Sequence, residues 1–486
     1  MTAAEVSQAL NLTDLKDRSW SIVASSAIKG EGLTEGLDWL MDVIKDEQLM
    51  STVRAFSAPG KALIAGGYLV LDPAYNAYVT ALSCRMHAVI ESREVPAKSK
   101  ITIDSPQFGK GHWVYEMKDE EFRVEQVEGD LNPFVGAAVE TILKYVEPRE
   151  SFNYHITIYS DAGYHTQQDT RAVKSGNGAK QFLYHLEPIG QVAKTGLGSS
   201  AGLVSVITGS LLSVFKKSSL DEIKDKIHNL AQISHCYAQK KVGSGFDVAA
   251  AIYGSIIYRR FHASVIDEYF QNPKQEKLQE IVNNQWDFKH VRCALPPGIK
   301  LLMGDISGGS ETPKLVSKVL KWKNEDPNTS KLLYENLNSA NMSLVNALDQ
   351  LHKEYEENES NYRDNLNKFS TDSIISSNLQ SLVNSLHDIR QYLKKLTNLT
   401  GADIEPELQT ILLDACFTLP GCLGGVVPGA GGFDAISLLV VESKVDQILN
   451  QTMSDSRFSN VSWLNLHEEA EGILEENPAD YKDLSA

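Results

Sequence analysis

The sequence predicts a soluble globular protein that contains both strands and helices and is divided into two main domains. Its 486 residues are enough for two or three domains, and 42% hydrophobic with 22% charged residues is ordinary for such a chain. Strand-like apolar runs are frequent between residues 57 and 160, whereas residues 328–400 are apolar at helical spacing. A mixed connector at 262–297, which ends in Pro296-Pro297, is the predicted domain boundary.

The charge balance and the cysteines exclude several classes of protein. A formal net charge of −17 argues against a nucleic-acid partner and against an anionic membrane surface, since both bind best to clustered Lys and Arg. The five cysteines form no CxxC pair and therefore indicate a reducing compartment and no metal framework. We find no apolar run long enough to span a bilayer and no signal-peptide pattern, so we expect a cytosolic protein.

Residues 1–50 differ in character from the rest. Trp20–Ala24 is a predicted strand, 25–32 a polar loop and Thr34–Gln48 an amphipathic helix. The segment resembles the C-terminal end of an Arf-like small GTPase. It contains neither a GxxxxGK[ST] phosphate loop nor an Asn-Lys-x-Asp base reader, so we do not expect it to bind GTP. Our hypothesis is a fusion remnant or a gene-prediction artefact, with an appended docking segment as the alternative.

The next 130 residues are predicted to form mostly strands. In SAPGKALIAGGYLVLD, Ser57–Asp72, a predicted Pro-Gly turn and Lys61 lie between two apolar runs. A helix is predicted at Asn132–Val146, and a charged loop at Thr170–Lys180. The other predicted strands are Ala77–Val95, Ile101–Asp104, Trp113–Glu116 and Asn153–Ser160, the last leading into DAGYHTQQD at 161–169.

A glycine-rich stretch at Lys194–Val206, KTGLGSSAGLVSV, reads as a phosphate-binding loop that leads directly into a helix. Gly196 and Gly198 allow a tight bend close to an anion, and the unpaired N–H groups of a new helix favour phosphate. Leu203, Val204, Ile207, Leu211 and Leu212 follow at helical spacing and predict a buried helix face. The alternative is a glycine turn that only caps a core helix.

A carboxylate stands at the start of a later helix. Leu220–Lys240 is a predicted helix, after which Gly243 and Gly245 break the pattern just before Asp247. Asp247 could act as a base or an orienting charge for a substrate hydroxyl, or it could simply cap its helix. A strand at Gly254–Phe261 follows.

The second predicted domain also contains polar and glycine-rich turns. The strand Ile299–Gly304 leads into a loop, Asp305–Val316, which is either an anion site or an ordinary helix cap. After a helix at Glu405–Leu419, Cys422–Glu442 reads as strand, glycine-rich turn and strand. Arg390, Lys394 and Lys395 lie near a helix end, where a ligand role is secondary to the helix dipole.

Three segments together identify a resemblance. The three motifs of the GHMP small-molecule kinases resemble, in order, SAPGKALIAGGY, KTGLGSSAGLVSV and VVPGAGGFDAISL of this chain. The sequence of residues 228–255 and 401–410 also resembles that of the phosphomevalonate kinases of fungi. The resemblance runs from about Val53 to the C-terminus. It implies an α+β fold with a ribosomal-S5-like N-terminal domain at 53–262, a ferredoxin-like C-terminal domain at 298–486 and an active site in the cleft between them.

The resemblance also implies a reaction. ATP with Mg²⁺ would phosphorylate (R)-5-phosphomevalonate to 5-diphosphomevalonate, in the mevalonate route to isoprenoids and sterols. Another acceptor of the same kinase class, or a non-catalytic ligand-sensing relative, are the alternatives. The expected partners are small molecules only, and the chain would be a monomer or a homodimer.

Roles for individual residues follow from the same resemblance. Asp247 matches the catalytic Asp, and Lys61 matches a lysine that pairs with it and stabilises charge on the acceptor. Ser200 matches the Mg²⁺ ligand. The expected ATP-phosphate cradle is Lys194, Gly196, Leu197, Gly198, Ser199, Ser200 and Ala201, and the expected acceptor contacts are Lys61, Tyr68, Ser307, Ser310, Thr312, Gly429, Gly431 and Gly432. The stretch 161–169 is a candidate for the adenine pocket.

The chain departs from the mevalonate kinases at one point. Those enzymes carry a glutamate on the helix before the catalytic Asp, whereas 227–246 contains no Asp or Glu. We therefore expect Mg²⁺ to be held by Ser200, phosphates and water, or by a carboxylate from elsewhere, and we do not expect a mevalonate kinase.

Overall fold

The computed structural model describes residues 6–7, 21–26, 29, 32–49, 53–94, 98–118, 122–166, 169–271, 273–306 and 312–484. Within these ranges the strands form a ten-stranded sheet, a four-stranded sheet and a two-stranded hairpin. Helices cover both larger sheets, so the predicted α+β class is confirmed.

The elements are numbered in chain order. The strands are β1 (Val53–Ala65), β2 (Ala77–Ser92), β3 (Lys100–Asp104), β4 (His112–Met117), β5 (Val124–Glu128), β6 (Asn153–Ser160), β7 (Thr170–Lys174), β8 (Gln181–His185), β9 (Ile256–Arg259), β10 (Lys289–Arg292), β11 (Ile299–Ile306), β12 (Cys422–Val426), β13 (Ala435–Val441), β14 (Val461–Leu464), β15 (Glu468–Glu469) and β16 (Leu474–Glu476). The helices are α1 (Leu33–Leu49), α2 (Pro133–Val146), α3 (Ser199–Lys216), α4 (Leu220–Gln239), α5 (Phe246–Tyr253), α6 (Ser264–Gln271), α7 (Gln275–Asn283), α8 (Thr312–Glu325), α9 (Pro327–Glu357), α10 (Glu359–Asp372), α11 (Ser377–Thr400), α12 (Glu407–Cys416) and α13 (Val445–Met453).

The large sheet is built on the long antiparallel pair β1 and β2. Its strand order is β10-β9-β2-β6-β3-β4-β5, with β1 paired to both β2 and β16 and with β15 paired to β2. The turn predicted at Pro59-Gly60 is wrong, because β1 continues through it with a shift of register between these two residues. Proline donates no backbone hydrogen bond, and a bulge accommodates it inside a strand.

Helix α3 is enclosed by protein. It lies against β1, β2, α2 and α4, and Val204, Ile207 and Leu211 are fully buried. By length and composition α3 is apolar enough to cross a membrane, so our expectation that the chain has no such run is wrong. However, 72% of the stretch is buried, and its apolar character is explained by its place in the core.

The second sheet, in the order β12-β13-β11-β14, is antiparallel and has a helical layer on each face. Along β13, Leu439 and Val441 pack in the cluster that contains residues of α9 and α11, whereas Leu438 and Val440 pack with residues of α12 and α13. This alternation follows from the period of two in a strand. Arg390 of α11 is not free for a ligand, since it pairs with the buried carboxylate of Glu405 at 2.6 Å.

After the second sheet the chain returns to the first. Strand β15 pairs with β2 and β16 pairs with β1, although the sequence placed this stretch in the C-terminal domain. Arg54 of β1, which is buried, makes two hydrogen bonds to the Glu475 carboxylate at 2.8 and 2.9 Å. Two- and three-residue strands carry too little pattern to reveal their partners.

Three local expectations need correction. Thr170–Lys180 is not a plain loop, because β7 and β8 form an antiparallel hairpin there. The connector at 262–297 contains α6, α7 and β10, and β10 pairs with β9 in the large sheet. The strand predicted at Trp20–Ala24 is absent over its described residues 21–24. Such short segments take their structure from tertiary contacts that periodicity does not show.

Candidate active site

The phosphate loop, Lys194–Ala201, joins the N-terminus of α3. Gly196 has φ +77° and Gly198 has φ +85°, the left-handed region that favours glycine. Gly198 is the N-cap of α3, and it makes no side-chain capping hydrogen bond. The amides of this turn are therefore available to an anion, and the helix dipole adds to their attraction.

Lys61 lies along this loop from the adjacent strand β1. Its Nζ donates to the Gly196 carbonyl at 2.8 Å, and its backbone N–H donates to the Leu197 carbonyl at 3.0 Å. A Cβ on Gly198 would lie 3.3 Å from the Lys61 side chain, so the loop and the lysine are in close contact. Burial lowers the pKa of Lys61, and the nearby Asp247 carboxylate partly opposes that shift.

Asp247 is in the first turn of α5, on the same side of the site. Gly245, with φ +75°, begins this helix, and Gln232 Nε2 holds the Gly245 carbonyl at 2.6 Å. The Asp247 carboxylate accepts from the neighbouring Val248 N–H at 2.9 Å, but the N-cap of α5 is Gly245, so Asp247 is not the helix cap considered for it. It makes no direct ion pair with Lys61, contrary to the pairing that the resemblance implies, although the two charges influence one another.

His235 of α4 belongs to the site, although the sequence did not indicate it. Its Nε2 lies 3.1 Å from Ser200 Oγ and 4.0 Å from the Asp247 carboxylate. Between 227 and 246 the expected side chain was an acidic one. The only sequence signal is a polar ring able to form hydrogen bonds on the helix that precedes Asp247.

A cavity of about 530 Å³ opens beside the phosphate loop. Its walls include the aromatic residues Phe108, Trp113 and Phe134, and Ser199 and Ser200 are on its floor. His165, from the stretch proposed for the adenine pocket, also lines it, and burial lowers the pKa of this histidine to about 4. Lys194 lies at the same cavity. A neutral histidine and apolar walls suit an uncharged planar group.

The third glycine-rich motif contacts the end of the first. Tyr68 donates its hydroxyl to the Ala430 carbonyl at 2.6 Å, and a Cβ on Gly67 would come within 2.9 Å of the Gly429 carbonyl. Gly432 N–H donates to the Ile404 carbonyl at 3.0 Å. Gly429, Gly431 and Gly432 all have positive φ values. This contact joins the two sheets, and it engages the Tyr68 hydroxyl that the resemblance predicts to contact the substrate.

The remaining acceptor candidates are not brought together. Ser307 and Ser310 lie outside the described residues. Thr312 is exposed in the first turn of α8, and no hydrogen bond among the described residues joins it to Lys61 or Asp247.

Comparisons with known proteins fit this geometry. The signature of the GHMP kinases N terminal domain matches residues 174–255, which include the phosphate loop and Asp247. A phosphomevalonate kinase from Candida albicans is 50% identical over 436 residues, covering 88% of this chain and 99% of that protein. The chain belongs to the phosphomevalonate kinase family. It is therefore a kinase of the GHMP type.

Two further relatives extend the comparison. A peroxisomal phosphomevalonate kinase from Arabidopsis thaliana is 30% identical and covers 78% of this chain and 88% of that protein. The crystal structure of Streptococcus pneumoniae phosphomevalonate kinase, in complex with phosphomevalonate and AMPPNP, has a TM-score of 0.58 at 17% identity, over 85% of this chain and 99% of that one. At this identity the likeness supports the two-domain GHMP kinase fold.

The N-terminal segment matches a different family. The signature of the ADP-ribosylation factor family covers residues 1–44. An ADP-ribosylation factor-like protein 1 from Saccharomyces cerevisiae is 80% identical over 49 residues, which is 10% of this chain and 27% of that protein. The resemblance predicted for this segment is confirmed at the level of the family.

Proposed function

We propose that this kinase transfers the γ-phosphoryl group of ATP to (R)-5-phosphomevalonate, giving 5-diphosphomevalonate and ADP, in the mevalonate route to isoprenoids and sterols. The observation that carries the proposal is the convergence, in a member of this family, of an uncapped helix N-terminus, Lys61 and Asp247. A phosphoryl transfer needs positioning and charge stabilisation more than covalent chemistry, and these groups supply both.

The nucleotide would lie between the cavity and the phosphate loop. The base would enter the cavity lined by Phe108 and Phe134, and the phosphates would meet the first-turn amides of α3. Lys194, at the cavity, would add positive charge near them. Because the protein carries a formal net charge of −17, such local groups must provide the attraction for an anionic nucleotide.

The residues present fit Mg²⁺. Ser200 Oγ and the Asp247 carboxylate lie 3.1 and 4.0 Å from the same His235 nitrogen, so they are at most about 7 Å apart. Among the described residues no cluster of three or more His, Cys, Asp or Glu side chains could form a complete metal cage. Mg²⁺ favours oxygen ligands and retains several waters, so one or two protein oxygens suffice. When bound, the ion would neutralise phosphate charge.

The acceptor is itself a phosphate and is ionised at neutral pH. An acceptor oxygen would form a bond to the γ-phosphorus while the bond to the β–γ bridging oxygen breaks, and ADP would leave with that electron pair. Lys61 would hold the two repelling anions together, since its ammonium is partly desolvated and directed at the loop. Asp247 would keep Lys61 charged and orient it rather than remove a proton.

The same proposal covers the other acceptor contacts, the domains and the location of the protein. Gly429, Gly431 and Gly432 would back the acceptor, with Ser307, Ser310 and Thr312 as further contacts, and Tyr68 would act by holding Ala430 in place. Domains at 53–262 and 298–486 would enclose the cleft. We place the protein in the cytosol as a monomer or homodimer, acting on small molecules only.

The experiment that tests the proposal is coupled ADP release with ATP and Mg²⁺. The purified chain would be offered (R)-5-phosphomevalonate, mevalonate, galactose and homoserine in parallel. Turnover with (R)-5-phosphomevalonate alone is the expected result. Turnover with another acceptor would retain the kinase mechanism and overturn the substrate, and ATP binding without any turnover would favour a ligand sensor.

A further inference from the structure

His235 contacts three parts of the site from one position on α4. Its Nε2 is 3.1 Å from Ser200 Oγ at the start of α3 and 4.0 Å from the Asp247 carboxylate at the start of α5. Its ring also packs against Phe134, a wall of the nucleotide cavity, with centroids 5.4 Å apart. The imidazole is buried, at 5% exposure. One side chain thus touches the phosphate loop and the base cavity and approaches the catalytic carboxylate.

Two hydrogen-bonding groups lie near the same ring nitrogen of His235. Ser200 Oγ is the nearer at 3.1 Å, and the Gln239 amide nitrogen is 3.3 Å away. A ring nitrogen has a single lone pair and so can fully accept from only one donor. When the nearer Ser200 hydroxyl donates to Nε2, its oxygen lone pairs are directed away from His235.

The contact with Asp247 is of a different kind. At 4.0 Å it is too long for a hydrogen bond. His235 packs against Phe134 and approaches the Asp247 carboxylate without bonding to it. The sequence offers no Asp or Glu between 227 and 246 that could hold this position.

We propose that His235 is a positioning residue, which fixes the Ser200 hydroxyl with its lone pairs directed at the metal–nucleotide site. This inference deepens the proposed function and rests on it for the roles of Ser200 and Asp247. It assigns His235 no contact with ATP or with the acceptor. The consequence is specific: loss of the His235 acceptor weakens the metal-dependent part of nucleotide binding and leaves the metal-independent part unchanged.

The test measures binding of AMPPNP by calorimetry, once with Mg²⁺ and once with EDTA. His235→Phe keeps a ring of similar size and removes the acceptor. We expect its Kd with Mg²⁺ to rise at least tenfold and its Kd with EDTA to change less than twofold. His235→Gln, whose amide reaches the position of Nε2, should restore the Mg²⁺ value to within about threefold of the parent. An equal rise in both Kd values, or no change in either, would overturn the proposal.

His228→Phe is the matched control. His228 is buried on the same helix, two turns earlier, and stacks on Phe288 at 4.3 Å; its link to the site runs through Gln232, whose amide lies 3.1 Å from His228 Nε2. We expect it to lower the melting temperature while leaving both Kd values unchanged. A loss of Mg²⁺-dependent binding in this variant equal to that in His235→Phe would assign the effect to helix packing and overturn the proposal.

Ser200→Ala keeps the test decisive should His235→Phe fail to fold. It removes the hydroxyl without altering the core, and it should reproduce the Mg²⁺-specific loss of AMPPNP affinity. Unchanged Mg²⁺ dependence in Ser200→Ala would contradict the inference. None of these binding measurements includes the phosphoryl acceptor, so they are independent of the substrate. If the parent protein binds AMPPNP more tightly with Mg²⁺ but does not phosphorylate (R)-5-phosphomevalonate, only the proposed function is refuted.

Discussion

Lys61 combines two features that suit a catalytic cation. It is held at the phosphate loop through the Gly196 carbonyl, and burial lowers its pKa while Asp247 favours its charged form. A cation that has already lost much of its hydration interacts more strongly with a transferring phosphoryl group than a solvated one. The position of Lys61 is set by β1, because the Lys61 backbone N–H in this strand donates to the Leu197 carbonyl of the loop.

The first prediction concerns Lys61 and Asp247 themselves. Lys61→Met and Asp247→Ala should each lower kcat by about a hundredfold or more, since the first removes the cation that stabilises the transferring group and the second removes the charge that orients Lys61. Coupled ADP release measures the rate, and thermal melting checks that the fold is intact. Lys318→Met is the matched control, because Lys318 also donates to a glycine carbonyl, Gly401 O at 2.7 Å, outside the site. Near-normal rates in both site variants would remove the two residues from the mechanism.

The second prediction distinguishes two effects of adding a side chain in the phosphate loop: backbone strain at a positive φ and steric contact with Lys61. Gly198→Ala and Gly196→Ala both place an alanine in the left-handed backbone conformation, which costs about 1–2 kcal/mol of folding free energy each. A Cβ on Gly198 would also press on Lys61 at 3.3 Å, whereas one on Gly196 meets open space within 4 Å. We therefore expect Gly198→Ala to lower kcat at least tenfold more than Gly196→Ala, measured at saturating ATP. Equal kcat values would show that the Lys61 position is insensitive to the loop.

At the level of individual residues, the sequence predicted part of the site. The glycines, Lys61 and Asp247 stand in motifs whose spacing is readable, and the structure brings these residues together. His235 lies in the stretch 228–255 that carries the resemblance, but no spacing rule gave it a role, because its contact with Ser200 depends on how the helices pack. Tyr68 was assigned to substrate, but its hydroxyl is engaged with Ala430 across the cleft, which no local pattern could show.

Among the elements, the long helices and strands were predictable and the short ones were not. Helices α2, α3 and α4 follow from apolar spacing, and β2 and β6 from strand-like runs, because each repeats its pattern several times. Strands β7, β10, β15 and β16 have two to five residues and are defined by their partners. Their pairing is a tertiary property, and it brings the C-terminal residues back to the first sheet.

The third prediction concerns the attachment of β15. Glu468 accepts from the Leu295 N–H at 2.8 and 3.0 Å and faces Tyr78 and Cys293, and burial raises its pKa to about 7. The folded state therefore binds a proton that the unfolded state has already released, so stability falls as pH rises from about 4.5 to 7. Glu468→Gln should remove this slope and stabilise the protein by about 1–3 kcal/mol at pH 8.

Urea unfolding at pH 5 and pH 8 measures the effect. At pH 5 the variant should differ from the parent by less than at pH 8, since the parent carboxyl is then mostly protonated in the folded state. Glu471→Gln, on the same C-terminal stretch but in an exposed pair with Arg292, is the control and should show no such pH dependence. A Glu468→Gln variant that is less stable at pH 8 would contradict the assigned direction.

The molecule as a whole is a kinase built on two large sheets, preceded by an N-terminal segment that matches another family. Tyr68 and Ala430 connect the two halves across the cleft, and Glu475 and Arg54 connect the chain's C-terminal strands to β1. The match to the Candida albicans relative covers 99% of that protein and 88% of this chain, whereas the ADP-ribosylation factor signature covers residues 1–44. Nearly the whole of that relative is therefore matched without all of this chain.

The last prediction is that deletion of residues 1–50 leaves kcat, both KM values and the melting temperature unchanged. The apolar residues Leu37, Leu40 and Met41 of α1 are about half exposed, so these three side chains bury little surface against the kinase. Deletion of residues 1–57 is the control: it removes Arg54 and the pairing of Ala55, Phe56 and Ser57 with β16, and should yield insoluble protein. Coupled ADP release and thermal melting decide the outcome. Lost activity in a folded 1–50 deletion would show that the Arf-like segment serves the kinase.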